Sequence, residues 1–199
     1  MTLLEIPTET FREGCIPVLE TERLVLRAPQ LEDAKAIAKL ANDRRIAENT
    51  ARIPHPYSVA DAKEYIVWAN ETRRESAFIV TLDDDVVIGA CGVGLDENEN
   101  PEIGYWIGAR YWGQGFATEA AHAVIDYAFE RFDFKALHSA ARVTNPASRR
   151  VLEKCGFQWT GAGLGRSRAL NSSVPIDRFR LDRGLWASLK SWGRAKRVV

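Results

Sequence analysis

Residues 102–130 read EIGYWIGARYWGQGFATEAAHAVIDYAFE, and no other run constrains the fold as much. Residues 103–107 have the content of a strand, and 112–115 form a glycine-containing turn. Ala117, Ala120, Ala121, Val124, Ile125 and Ala128 then recur at intervals of three and four, which predicts a long helix from about Phe116. A strand that passes through glycines into a helix can bind an anion. The first helical N–H groups lack intrahelical partners and lie at the positive end of the helix dipole. Gly113 and Gly115 have no Cβ, so a ligand can come close to the backbone. No Ser, Thr, Asp or Asn stands just before the helix to cap it, so a phosphate could fill those amides. The same glycines would also serve a plain tight turn, and both readings stand on this run alone. Two familiar phosphate motifs do not fit. No Lys-Ser/Thr follows the second glycine, and Gly113-x-Gly115-x-x-Thr118 lacks the third glycine of a dinucleotide fingerprint.

The rest of the chain reads as one mixed α/β domain over 1–199, with 1–19 as an N-terminal extension and 187–199 as a tail. Residues 22–27 alternate polar and apolar like a half-buried strand, and Leu31, Ala34, Ile37, Ala38 and Ala41 mark a helix over 31–42. Pro54 and Pro56 make 49–57 a loop. Ser58 with Asp61 three residues on is a variant of the capping box, opening a helix that ends near Thr72. Residues 76–82 and 86–94 predict a hairpin, and 136–143 a further strand. In NPASRRVLEKCGF, Asn145 is an N-cap, Pro146 takes the first helical position and Gly156 closes the helix. Residues 157–160 are strand-like, 161–173 read as a mobile Gly/Arg/Ser-rich loop, and 176–185 as the last strand before a short helix and a basic tail.

Composition limits the function classes. Lys plus Arg and Asp plus Glu both number 27, so bulk positive charge for nucleic acid is missing. Three scattered cysteines show neither metal spacing nor a disulfide framework, which suits a reducing cytoplasm. No run approaches the roughly 20 apolar residues of a membrane span, and no signal-peptide pattern opens the chain.

Four segments in this order, TERLVLRAP, EIGYWI with YWGQGFATEA, NPASRRVLEKCGF and RFRLDR, resemble the GNAT superfamily of N-acetyltransferases, and within it the RimJ/RimL-type enzymes. The likeness covers roughly residues 19–185. It implies a mostly antiparallel sheet of about seven strands, splayed at the cofactor site and flanked by helices, with acetyl-CoA as co-substrate and no metal. The family's Gln/Arg-x-x-Gly-x-Gly/Ala loop falls on Trp112-Gly113-Gln114-Gly115-Phe116-Ala117, where Trp112 replaces the usual polar residue. The resemblance implies that amides from Gly113 through Gln114, Gly115, Phe116 and Ala117 to Thr118 hold the pyrophosphate. It likewise implies that Trp106 and Ile107 pair with the pantetheine arm, and that Asn145 touches that arm. A homodimer is a further expectation from resemblance.

Acetylating an amine requires removal of an amine proton, a donor for the tetrahedral oxyanion, and release of the thiolate. Glu102, at the start of the cofactor strand, is the candidate base; a solvated acid beside Asp96, Glu97 and Glu99 is the plainer reading. The Ile107 N–H is the candidate oxyanion donor. The Tyr that many members carry seven residues after the Asn is Leu152 here. Ser148, three after Asn145, matches the RimJ/RimL-type pattern, so the resemblance implies it as the candidate donor to sulfur, and an ordinary first-turn residue is the plainer reading. A thiolate of pKa about 8.5 can also leave with the help of water. The expected acceptor is a protein N-terminus or a small-molecule amine, with Tyr57, Trp68 and 161–173 near its pocket. A non-catalytic acyl-CoA-binding module, or a transferase of another acyl group, remains the alternative.

Overall fold

Leu24 and Leu26 alternate with half-buried neighbours along β2 (Leu24–Arg27), and both leucines are fully buried. Together with β1 (Leu19–Glu20), β2 forms one edge of an eight-stranded sheet in the order β1-β2-β3-β4-β5-β6-β8-β7. The computed structural model describes residues 16–72, 74–82 and 85–195. Its other strands are β3 (Glu75–Leu82), β4 (Val87–Leu95), β5 (Pro101–Ile107), β6 (Ala136–Arg142), β7 (Gln158–Ser167) and β8 (Ser172–Asp182). Every neighbouring pair is antiparallel except β5 with β6.

The two faces of the sheet carry separate cores. On one, Phe78, Val93, Ile103 and Leu137 lie under α4 (Phe116–Arg131), which buries Ala120, Ala121, Val124, Ile125, Ala128 and Phe129. Each large apolar side chain buried there contributes about 1.5–3 kcal/mol. Leu152 of α5 (Pro146–Lys154) joins the same core, with Trp186 of α6 (Arg183–Ala195) packed against it. On the other face, α1 (Ala34–Ala41) and α3 (Val59–Glu71) cover Ile79, Ala90 and Trp106. Both expected caps form. Ser58 and Asp61 complete a capping box on α3, and the Asn145 side chain accepts from the Ser148 amide at 3.2 Å.

The expected mostly antiparallel sheet of about seven strands is present, with eight. Two expectations need correction. Arg44–Ala47 forms a short helix, α2, capped by Asp43, where none was expected. Residues 161–173 are not a loop but most of β7, the turn after it and the start of β8. Glycine normally argues against a strand, but a Cβ at Gly163 would stand 3.0 Å from the Arg178 guanidinium, and one at Gly165 3.0 Å from Ile176. Those glycines allow close approach on one face of the hairpin. The short helix expected before the basic tail spans Arg183–Ala195. Residues 1–15 of the proposed extension and 196–199 lie outside the described residues. Among the described residues no helix is long and apolar enough to cross a membrane.

Candidate active site

The parallel pair is the weak seam of the sheet. β5 and β6 are in register at one position, Glu102 opposite His138, and the Ser139 hydroxyl donates to the Ile103 carbonyl at 3.0 Å beside it. Above that junction no ladder joins the strands. The Gly108 N–H donates to the Ile88 carbonyl at 2.8 Å, and Trp106 stands opposite Ala90. Antiparallel pairs alternate, so the polar groups of Trp106 point to β4 while those of Tyr105 and Ile107 point to β6. The edge that faces the seam therefore belongs to Tyr105 and Ile107, with the Trp106 side chain on the α3 face.

Beside the seam the turn into α4 takes the anticipated form. Gly113 and Gly115 have φ of +77° and +86°, the left-handed region, and Gly115 is the N-cap with no side-chain cap. The main-chain N–H groups of Gly113, Gln114, Gly115, Phe116, Ala117 and Thr118 donate no hydrogen bond among the described residues. Trp112 has its own use: its indole N–H donates to the Ile107 carbonyl at 2.6 Å, closing the turn onto the strand. Arg23, just before the second strand, braces the loop from behind. Its guanidinium donates to the Gln114 carbonyl at 3.0 Å and pairs with Glu119 at 2.6 Å, while the Thr21 hydroxyl donates to Glu119 at 2.7 Å. Burial pushes the Glu119 carboxyl up, but the bonds from Thr21 and Arg23 outweigh it and hold the group below its usual range. Residues 113–118 present a cradle of free amides with room for an anionic group.

On the α4 face, Tyr105 reaches the first turn of α5. Its hydroxyl lies 2.9 Å from Ser148 Oγ and 3.1 Å from the Ser148 carbonyl. Burial pushes the Tyr105 phenol well above its ordinary value, so it stays protonated and can donate. Leu152 is 1% exposed in the core. Burial likewise pushes the Cys155 thiol up to about 12, and raises Cys91 further, so neither is a reactive thiolate.

Glu102 lies on the α3 face at the closed end of the seam. Burial first, then Asp96, with Glu75 and Glu97 in support, push its carboxyl above the usual range, and Arg52 opposes them. His138, across the junction, is held below its ordinary value by burial and by Arg180. Glu75, buried in the third strand, shares this face and accepts two bonds from Arg52 at 2.6 and 3.1 Å. At the open end, Arg142 donates to the Glu48 carbonyl at 2.8 Å, and its Nε is buried without a partner.

The structure thus puts Glu102, Trp106, Ile107, Asn145, Ser148 and the 113–118 loop around one opening in the sheet. Sequence reading did not single out Arg23, Tyr105, Glu75, Arg52 or His138. Arg23 and Tyr105 do sit inside the TERLVLRAP and EIGYWI segments. No group of three or more His, Cys, Asp or Glu that could hold a metal ion occurs among the described residues.

A sheet opened at one parallel seam beside an uncapped helix is the arrangement that the resemblance implies for an acetyltransferase. Residues 23–158 match the acetyltransferase (GNAT) domain family. The chain is 31% identical over 169 residues to an N-acetyltransferase of Bacillus licheniformis, p20, covering 82% of this chain and 94% of the relative. It is 30% identical over 103 residues to the ribosomal-protein-serine acetyltransferase of Escherichia coli, covering 51% of this chain and 57% of that protein. In fold it resembles Mycobacterium smegmatis RimJ, solved with a CoA disulfide, with a TM-score of 0.73 over 93% of this chain and 97% of that one at 18% identity. The chain belongs to the GNAT acetyltransferase family and resembles its RimJ/RimL-type members, and acetyl-CoA is its co-substrate.

Proposed function

We propose that the protein moves the acetyl group of acetyl-CoA to a primary amine by direct attack in a ternary complex. The amine belongs to a small molecule or a protein N-terminus. The observation that carries this reading is the single-position junction of β5 and β6. It opens the sheet on both faces, with the free amides and α5 on one side and Glu102 on the other. The coenzyme supplies the acetyl thioester. Gly113, Gln114, Gly115, Phe116, Ala117 and Thr118 hold its diphosphate through main-chain N–H groups at the positive end of α4. The β5 edge at Tyr105 and Ile107, flanked by the Trp106 side chain, aligns the pantetheine arm, and Asn145 meets it from the start of α5. The Ile107 N–H, turned toward the seam, serves the carbonyl oxygen. Glu102 takes the amine proton, and its raised pKa brings it nearer the operating pH, as a general base requires. Thiol release on a panel of amines and N-terminal peptides tests the proposal. Acetyl-CoA uptake by calorimetry without turnover on any acceptor would make the chain a binding module instead.

Ser148 donates to the departing sulfur, and Tyr105 orients it. The Tyr105 hydroxyl has one hydrogen, which reaches either the Ser148 carbonyl at 3.1 Å or Oγ at 2.9 Å; turned to Oγ as the thioester arrives, it leaves the serine hydrogen free for the sulfur. A net hydrogen bond is worth about 0.5–1.5 kcal/mol, and 1.4 kcal/mol is about tenfold in rate. Tyr105→Phe should therefore lower kcat by up to about tenfold with little change in the acetyl-CoA KM, and Ser148→Ala should lower it at least as far. Both defects should shrink with an acetyl thioester of a more acidic thiol. Equal defects with both donors would remove the two hydroxyls from the leaving-group step.

A further inference from the structure

Glu75, Gly94, Glu102 and His138 stand in one row across four strands, so their side-chain directions share the α3 face. The strand between the two glutamates offers no obstruction on that face. A Cβ at Gly94 would come within 3.1 Å of the Glu75 Cβ and Cγ, and one at Gly92 within 3.3 Å of Glu75 Oε1. Glu75 therefore lies along the glycines of β4. Gly104, opposite Gly92, has open space where its Cβ would be. The result is a glycine-floored trough with a carboxylate at each side.

Its contents are unequal. Glu75 is 8% exposed and fixed in the sheet. Arg52, its bidentate partner, sits in the loop before α3 with a side chain 66% exposed. The same guanidinium lies 5.5 Å from the centre of the Trp68 ring. A buried carboxylate and an aromatic face make a cation site, and the chain fills it with a group that can swing into solvent. Two carboxylates against one guanidinium leave the trough net negative. Arg52 is already committed to Glu75, so it is not available to an anionic acceptor without stranding a buried charge.

We propose that the acceptor carries a second positive charge beyond the reacting amine, and that Glu75 and Trp68 take this charge in place of Arg52. The inference rests on the transfer reading above and names its substrate class. Glu102 receives the nitrogen that is acetylated, and Glu75, two strands away and so roughly 10 Å distant at the backbone, receives the other. Arg52 swings outward as the second cation enters, so Glu75 is never unpaired. Arg142 and Arg178 stand on the far side of the seam, on the sixth and eighth strands, and confine the dication to the β3–β5 side.

The test has two readouts. With acetyl-CoA as donor, kcat/KM is compared for 1,4-diaminobutane against butylamine, and for a short peptide with lysine at its second position against the glutamine version. The dication should be preferred about tenfold or more, and whichever pair shows the larger ratio identifies the source of the charge. Arg52→Gln, at an exposed position, should raise the ratio, and Glu75→Gln should bring it close to one. A ratio near one in the parent protein, or a fall in Arg52→Gln, overturns the proposal. Calorimetry of diaminobutane binding in the presence of CoA is read independently of turnover. Tighter binding by Arg52→Gln with no acetylation of any amine would retain the cation site and sink the transfer reading. Binding unchanged or weakened by that substitution would sink the cation site while acetylation continues.

Discussion

Replacing Glu102 by Gln should leave acetyl-CoA binding intact and lower kcat by about 10²–10⁴-fold, the usual contribution of a positioned general base. The substitution keeps the side chain's size and its place at the closed end of the seam, so only the ability to take a proton is lost. The pH dependence sharpens the expectation. A base works when ionised, so kcat/KM falls as pH drops through its pKa. Burial, Asp96 and Glu75 raise that pKa, so the acid limb should lie above the ordinary carboxylate range and vanish in the Gln variant. Removing Arg52, which stabilises the ionised form, should move the limb to higher pH, and removing Glu75, which opposes ionisation, to lower pH. His138 is the neighbour that could imitate this role. If His138→Gln abolishes the limb while Glu102→Gln keeps it, the base is the imidazole.

Gly115→Asp should abolish measurable acetyl-CoA uptake at concentrations that saturate the parent, while the fold persists. The residue has φ of +86°, where a side chain is strained by roughly 1–2 kcal/mol. A Cβ there would stand 3.3 Å from Arg23 Nη2, so the new carboxylate would draw Arg23 away from Glu119 and the Gln114 carbonyl. It would also bring a negative charge to amides that otherwise face the diphosphate. Since about 2.7 kcal/mol is a hundredfold in affinity, strain, repulsion and loss of the brace together should exceed a hundredfold. Gly115→Ala, with the strain alone, should lose about tenfold. Calorimetry with acetyl-CoA decides it, and an Asp variant that binds like the parent would place the diphosphate elsewhere.

What could be read from the sequence was local. The glycine turn into α4 is written in consecutive residues, as are the Ser58–Asp61 box and the Asn145-Pro146 start of α5. Each forms as its spacing requires. The support of the site was not legible, because it joins residues far apart in the chain. Arg23 reaches Glu119 across 96 positions, Tyr105 reaches Ser148 across 43, and Arg52 reaches Glu75 across 23. No periodicity encodes such pairs. The β7–β8 hairpin is hidden in the sequence for a different reason. Glycine's low strand propensity is the stronger local signal, and here close approach on one face, by Arg178 and Ile176, overrode it.

That hairpin also has a mechanical role. At its tip the Arg168 N–H donates to the Ala51 carbonyl at 2.9 Å, immediately before Arg52. The far rim of the sheet is thereby moored to the segment that carries the exchangeable guanidinium. The bond is made by main chain, so side-chain changes at the tip leave it in place, whereas a residue inserted into the turn at 168–171 breaks its alignment. On the proposed exchange of Arg52, choice among amines is open to adjustment from a turn on the opposite rim of the sheet.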